Sequence, residues 1–113
     1  MALEAIGIDI VDIPRFEALI SESRSFLTRY FHAEEQLLNS TSLAARFASK
    51  EALFKAGASI YPNIFNQVLI NFDSYGRPYF VIQKGLELVR LGNFLVSISH
   101  SKLTAVAIVV KLI

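Results

Sequence analysis

The last twenty residues of the chain carry two β-branched runs, Phe94 to Ser99 and Thr104 to Leu112, with His100-Ser101-Lys102 between them. A connection that short can only fold the chain back on itself, so the runs must pair antiparallel; a parallel pair needs a crossover of a dozen residues or more. A second hairpin is expected where Gln67 to Asp73 and Pro78 to Gln83 alternate on either side of Ser74-Tyr75-Gly76-Arg77. Near the start, Ala5 to Ile13 sets Ile6, Ile8 and Ile10 against Gly7, Asp9 and Val11, the pattern of a buried strand.

Helical signals fill the remainder. Asp12 and Pro14 open a helix whose apolar face is Phe16, Leu19 and Ile20. Ser25 to Leu38 reads as one or two short helices. Ser40, Thr41 or Ser42 caps a longer helix that stops at Gly57, and Lys84 to Gly92 reads as another short helix. Strand, helices, hairpin, helix, hairpin is the order of an α+β domain: a small, mainly antiparallel sheet packed with one long central helix and shorter ones. At 113 residues a single domain, 1–113, is expected.

Composition removes several classes of function. With no cysteine there is neither a disulfide framework nor a thiolate metal site. A net charge of +1 argues against bulk nucleic-acid binding. Mean hydropathy is high, +0.45, yet Leu103 to Val110 is only eight residues, against ~20 for a membrane span. Met-Ala-Leu-Glu lacks the basic start of a secretory leader. A cytoplasmic protein without membrane attachment is expected, with its surplus apolar surface covered by further copies of itself.

The central helix carries the informative side chains, in Ser42-Leu-Ala-Ala-Arg46-Phe-Ala-Ser-Lys50-Glu51-Ala-Leu-Phe54-Lys55. At about 100° per residue, Leu43, Phe47, Phe54 and Ala58 form one apolar stripe. Glu51 and Lys55 share one flank, four residues apart; Arg46 and Lys50 share the other. Taken alone, this is an ordinary solvated boundary pair. Asp9 alters that, because it sits in Ile6-Gly-Ile-Asp-Ile-Val-Asp-Ile13, where a lone carboxylate demands a partner. A salt bridge or an exposed strand edge would suffice. A hard-cation site shared with another carboxylate would also, and Mg²⁺ characteristically takes one or two carboxylates and completes its shell with water and phosphate. His100 ends an apolar strand and His32 lies near the early helices; neither has a second histidine at helical spacing, so zinc is excluded. No nucleophile elbow accompanies the serines beside His100, and there is no P-loop or dinucleotide fingerprint.

Four segments together resemble the holo-acyl-carrier-protein synthase family, the small 4′-phosphopantetheinyl transferases. They are Gly7-Ile-Asp9-Ile-Val-Asp-Ile-Pro-Arg15-Phe16, Ala45-Arg46-Phe-Ala-Ser-Lys50-Glu51-Ala-Leu-Phe-Lys55, Gly76-Arg77-Pro78 and Ser97-Ile-Ser-His100-Ser101. The resemblance implies transfer of the phosphopantetheine arm of coenzyme A to a serine of apo-acyl carrier protein, with release of adenosine 3′,5′-bisphosphate, in fatty acid biosynthesis. It implies Mg²⁺ on Asp9 and Glu51, and Lys55 near the scissile phosphate. Arg46, Lys50 and His100 become candidates for the coenzyme A phosphates, with Gly76, Arg77 and Pro78 against the nucleotide. Arg15 resembles the basic residue that meets the acidic carrier. The family also implies a homotrimer with sites between subunits. For the serine proton, Glu35, a metal-bound water and phosphate remain as acceptors. A non-catalytic domain of the same fold is the rival reading, and retention of Asp9, Glu51 and Lys55 together speaks against it. Two departures stand out. Ala45 replaces a frequent glycine, and Gly57-Ala-Ser-Ile-Tyr61 lacks the usual Gly-Thr-Gly, whose backbone would approach phosphate closely.

Overall fold

The computed structural model describes residues 2–57 and 62–113. Its strands are β1 (Leu3–Asp12), β2 (Val68–Phe72), β3 (Pro78–Lys84), β4 (Glu87–Arg90), β5 (Phe94–His100) and β6 (Thr104–Leu112). Its helices are α1 (Ile13–Glu22), α2 (Arg24–Tyr30) and α3 (Ser40–Lys55), with 3₁₀ turns at Ala33–Glu35 and Pro62–Gln67. The fold is α+β as expected, but the strands form two sheets of three, ordered β1-β6-β5 and β2-β3-β4. Every pairing is antiparallel. Both expected hairpins form.

The first sheet packs one face on α3, and small residues set how close that approach is. Ala44, Ala48, Ala52 and Ala56 of the helix segment and Ala105 and Ala107 of β6 are all buried. At Gly7 the approach is closest: a Cβ there would stand 2.1 Å from the Ala52 carbonyl oxygen and 2.7 Å from the Ala56 nitrogen. Only glycine admits helix backbone at that distance. This decides which face of β1 turns inward, because residues two apart share a face. Gly7, Asp9 and Val11 meet α3, while Ile6, Ile8 and Ile10 are 61%, 58% and 70% exposed. The expectation of a buried isoleucine row is therefore corrected: those side chains face away from this chain's core. Register places Ile6 beside Val110 and Leu95, Ile8 beside Ile108 and Ser97, and Ile10 beside Val106 and Ser99. An apolar sheet face is left uncovered by the chain itself.

An aromatic cluster joins α1 and α2 to α3. Phe47 stands 5.5 Å, ring centre to ring centre, from Phe16 and 5.3 Å from Phe26, with Tyr30 stacked on Phe26 at 4.6 Å. Asp12 caps α1 as expected, accepting from the Arg15 N–H at 2.9 Å. The cap of α3 is Asn39, whose Oδ1 accepts from the Ser42 N–H, instead of Ser40, Thr41 or Ser42. Ser40 instead donates its hydroxyl to Glu17 on α1. Gly57 stops α3 with φ at +81°, as read from the sequence. The single apolar stripe does not hold. Phe54 is 41% exposed, and burial spreads from Leu43 and Ala44 round to Lys50 and Leu53, since α3 is covered by β1 and β6 on one side and by β5, α1 and β2 elsewhere. Ala58 lies outside the described residues, as does all of the Gly57-to-Tyr61 departure beyond Gly57.

The helix expected over Lys84 to Gly92 is instead the β3–β4 hairpin, with Lys84 opposite Glu87 and Ile82 opposite Val89. Gly85 at φ +62° supplies the positive first position that a two-residue turn of this hand requires. Pairing with β3 overrides a local composition that is compatible with a helix. Among the described residues no helix is long and apolar enough to cross a membrane.

Candidate active site

The close seat of β1 on α3 places Asp9 beside the carboxyl-terminal half of the helix. Asp9 and Glu51 front one groove of about 460 Å³, floored by Phe16, Leu19 and Phe47 and bordered by Arg15. Four residues beyond Glu51, the Lys55 ammonium donates to Asp9 Oδ1 at 3.0 Å and to the Ile8 carbonyl at 3.1 Å. The lysine side chain is about half exposed, so this pair is held lightly. Asp9 thus has the partner its surroundings demand. Glu51 has less compensation: burial first, then repulsion by Asp9, raise its pKa above the ordinary glutamate value, with Lys55 opposing. Asp9, Glu51 and Arg15 come together on this groove, and Lys55 joins them through its bond to Asp9.

Two oxygen-donor carboxylates that repel one another match a small hard cation that neutralises both. No group of three or more His, Cys, Asp or Glu able to hold a metal occurs among the described residues. With two carboxylates as its protein ligands, a hard cation held here would fill its remaining positions with water and other oxygen donors.

Arg46 and His100 meet in a second cavity of about 230 Å³, with Ser42, Ala45, Phe72 and Ile98. The Arg46 guanidinium lies 5.4 Å over the Phe72 ring, and its Nε stands 3.6 Å from Glu35 Oε2. Burial lowers its pKa, offset by the Glu35 carboxylate. His100 is exposed, and among the described residues its side chain makes one long contact, 3.4 Å, from Nδ1 to the Ser101 carbonyl. His32 has a structural task instead: it caps the turn at Ala33–Glu35 and bonds Gln83.

Lys50 is a correction. Its side chain is fully buried, donating to Glu35 Oε1 at 2.6 Å, to the Tyr30 carbonyl at 2.9 Å and to the Phe65 carbonyl at 3.0 Å. All three ammonium hydrogens are spent on this chain, so Lys50 has none for a coenzyme A phosphate. Burial brings its pKa down to about 8 against the opposing pull of Glu35. The same pair withdraws Glu35 as acceptor of the serine proton, since its carboxylate is 3% exposed and bound to Lys50. Sequence reading placed Lys50 on the flank with Arg46; a lysine between Ser49 and Glu51 carries no local sign of burial beyond the alanine-rich helix around it.

Gly76, Arg77 and Pro78 shape the β2–β3 turn, where Gly76 has φ +79°. Asp73 accepts from the backbone N–H groups of Tyr75 and Arg77 and from Arg77 Nε. Those bonds, the Arg77 backbone N–H foremost, hold its carboxyl below the ordinary range. Arg77 and Pro78 line a third cavity of about 560 Å³ where the two sheets meet, together with Arg90 of β4. No residue is shared between this cavity and the Asp9–Glu51 groove. A single chain does not gather all the expected site residues into one place.

Comparison with known proteins bears on these cavities. The sequence profile of the 4′-phosphopantetheinyl transferase superfamily matches residues 5–106. A holo-[acyl-carrier-protein] synthase of Coprothermobacter proteolyticus is 38% identical over 112 residues, covering 97% of this chain and 96% of that protein. The crystal structure of the Neisseria meningitidis holo-[acyl-carrier-protein] synthase superposes with a TM-score of 0.79 at 29% identity, covering 97% of this chain and 98% of the other. The Bacillus anthracis synthase, solved in complex with CoA (3′,5′-ADP), superposes at 0.72 and 29% identity, with 96% of each chain covered.

Proposed function

Because the chain belongs to the 4′-phosphopantetheinyl transferase superfamily, and is an enzyme of that class, we propose that it is a holo-acyl-carrier-protein synthase that takes coenzyme A and apo-acyl carrier protein as substrates. The arm of coenzyme A passes to a carrier serine, adenosine 3′,5′-bisphosphate leaves, and the modified carrier serves fatty acid synthesis in the cytoplasm. The single observation that carries the reading is the convergence of Asp9, Glu51 and Arg15 on one groove, with the Lys55 ammonium bonded to Asp9.

In this reading Asp9 and Glu51 hold Mg²⁺. Bound there, the ion supplies charge neutralisation at the coenzyme A pyrophosphate. Phosphoryl transfer is mainly a matter of positioning and of stabilising developing charge, so no protein nucleophile is required. Lys55, tethered to Asp9 and the Ile8 carbonyl, has the length and exposure to swing its ammonium toward the leaving phosphate. Arg46 and His100 offer positive charge in the adjoining cavity, and Arg77 and Pro78 offer a nucleotide-facing wall. Arg15 borders the groove from the outer side, where an acidic carrier would approach. With Glu35 buried, the serine proton goes to the substrate phosphate or to water.

A homotrimer belongs to the same proposal. The uncovered Ile6, Ile8 and Ile10 face is too apolar for a lone chain, and the separation of the Arg77 cavity from the Asp9–Glu51 groove fits a site completed by a neighbour. Incubation with coenzyme A, Mg²⁺ and apo-carrier, read by mass spectrometry of the carrier, tests the activity. Loading of the carrier that requires Mg²⁺ is expected; an unchanged carrier mass would remove the proposal.

A further inference from the structure

Glu35 and Lys50 form a buried pair to which the transfer reaction gives no task, and the pair is not closed on itself. Lys50 bonds one carboxylate oxygen, Oε1, which also accepts from the His32 N–H at 3.1 Å. The other oxygen, Oε2, is buried without a hydrogen-bond partner among the described residues, and so is Arg46 Nε. These two atoms face one another at 3.6 Å, within ion-pair range but longer than a hydrogen bond. A carboxylate kept only as counter-ion to Lys50 would leave Oε2 stranded, and a native core rarely strands a charged oxygen without a use for it.

Helix geometry explains why one carboxylate meets both cations. Arg46 and Lys50 stand one turn apart on α3, where two positive side chains repel. The 3₁₀ turn at Ala33–Glu35 sets Glu35 against both of them. Lys50 is fully enclosed, but Arg46 lines the 230 Å³ cavity with His100, and it is the one permanently charged side chain in that lining. Its guanidinium is held on three sides: by the Glu35 carboxylate at Nε, by the Ser42 carbonyl 3.4 Å from Nη1, and by the Phe72 ring. The remaining N–H edge is left for the cavity. A guanidinium fork pairs with an oxyanion in its own plane, so whatever fixes that plane sets the affinity.

We propose that Glu35 is a positioning residue: through Oε2 it fixes the Arg46 guanidinium for a phosphate group of coenzyme A, while through Oε1 it neutralises Lys50. The inference rests on the transferase reading above, which turns Arg46 toward the coenzyme A phosphates. Glu35 itself, with its side chain 3% exposed, touches no substrate.

Coenzyme A binding, titrated calorimetrically with Mg²⁺ and without carrier, tests this in a double-mutant cycle. Arg46→Gln is expected to weaken binding about tenfold or more, as loss of a charged hydrogen bond does. Glu35→Gln keeps the shape and an acceptor for Lys50 but withdraws the charge beside Arg46, and a weakening of about tenfold is expected. The two together should bind no more weakly than Arg46→Gln alone, because Glu35 acts through Arg46. In turnover, Glu35→Gln should raise coenzyme A KM with kcat and carrier KM kept, a split that general loss of structure does not produce. Should an uncompensated Lys50 unfold Glu35→Gln, the pair Glu35→Gln with Lys50→Met removes both charges together. It should show the same weakening against the wild type, since Lys50 touches no phosphate. Wild-type affinity in whichever Glu35 variant folds would overturn the proposal, as would wild-type affinity in Arg46→Gln or losses that multiply when the two are combined. Failure of the wild type to bind coenzyme A would instead overturn the transferase reading, and this inference with it.

Discussion

Glu51 is where electrostatics and function meet most sharply at the scale of one side chain. Its pKa is raised in the folded state by burial and by Asp9. The folded chain therefore keeps this proton to higher pH than the unfolded chain does. Stability from Glu51 is full below the unfolded value of about 4.5 and is lost as pH rises through the folded value. Glu51→Gln should then melt higher than wild type at neutral pH without divalent ions, and that gain should vanish below about pH 4.5; melts across pH check it. Added Mg²⁺ should raise the melting temperature of the wild type and not of the variant. Carrier loading by Glu51→Gln should fall on the order of a hundredfold or more. Lys50 should behave oppositely. Lys50→Met strands the Glu35 carboxylate in the core and should cost about 3–5 kcal/mol in denaturant unfolding. Coenzyme A KM in the fraction still folded should be unchanged, whereas a KM rise would return Lys50 to the phosphates.

Among the elements, the β1–α3 contact positions the groove and α1 presents it. Gly7→Ala drives a methyl into the Ala52 carbonyl, and neither backbone can yield without moving Asp9 away from Glu51 and Lys55. A loss of roughly 3 kcal/mol or more is expected, at or beyond the upper end of ordinary overpacking. Activity should fall further than stability alone accounts for; thermal melts beside single-turnover rates separate the two. On α1, Arg15 sits in the first turn, where a cation opposes the helix dipole. Arg15→Ala should raise carrier KM mainly through a slower association rate, leave coenzyme A KM alone, and flatten the salt dependence of turnover. An unchanged carrier KM and salt response would end its docking role.

The whole molecule is shaped by a sheet with one face on α3 and the other open. Burying each exposed isoleucine is worth roughly 1.5–3 kcal/mol, and Ile6, Ile8 and Ile10 lie in register with Val110, Ile108 and Val106. Sedimentation should find a trimer for the wild type. Ile8→Glu should give a folded monomer that binds adenosine 3′,5′-bisphosphate poorly and does not load carrier. A wild-type monomer active at full rate would show that the face is covered by something other than a second copy.

Much was legible from residue order alone. Hairpin turns at Ser74 to Arg77 and at His100 to Lys102 are dictated locally, as is the start of α1 at Asp12, because turn and cap geometry depends on neighbours in the chain. The chemistry of Asp9, Glu51 and Lys55 was legible for a related reason: a carboxylate among isoleucines and a Glu–Lys pair at one helical turn are local patterns. What the order of residues left open was which face of β1 turns inward, and period-two alternation is symmetric to that choice. Hydrophobicity alone favoured the isoleucine face. The close approach of α3 at Gly7 decided otherwise, since a backbone clash outweighs any side-chain preference. The hairpin that replaces the Lys84 to Gly92 helix is a nearer case, where pairing with the adjacent β3 across Gly85-Leu86 outweighs a helix-compatible composition. Lys50 and Glu35, fifteen residues apart, became a buried pair for the same kind of reason as the inward face of β1. Both of those depend on a partner distant in the chain, so only the assembled tertiary structure could decide them.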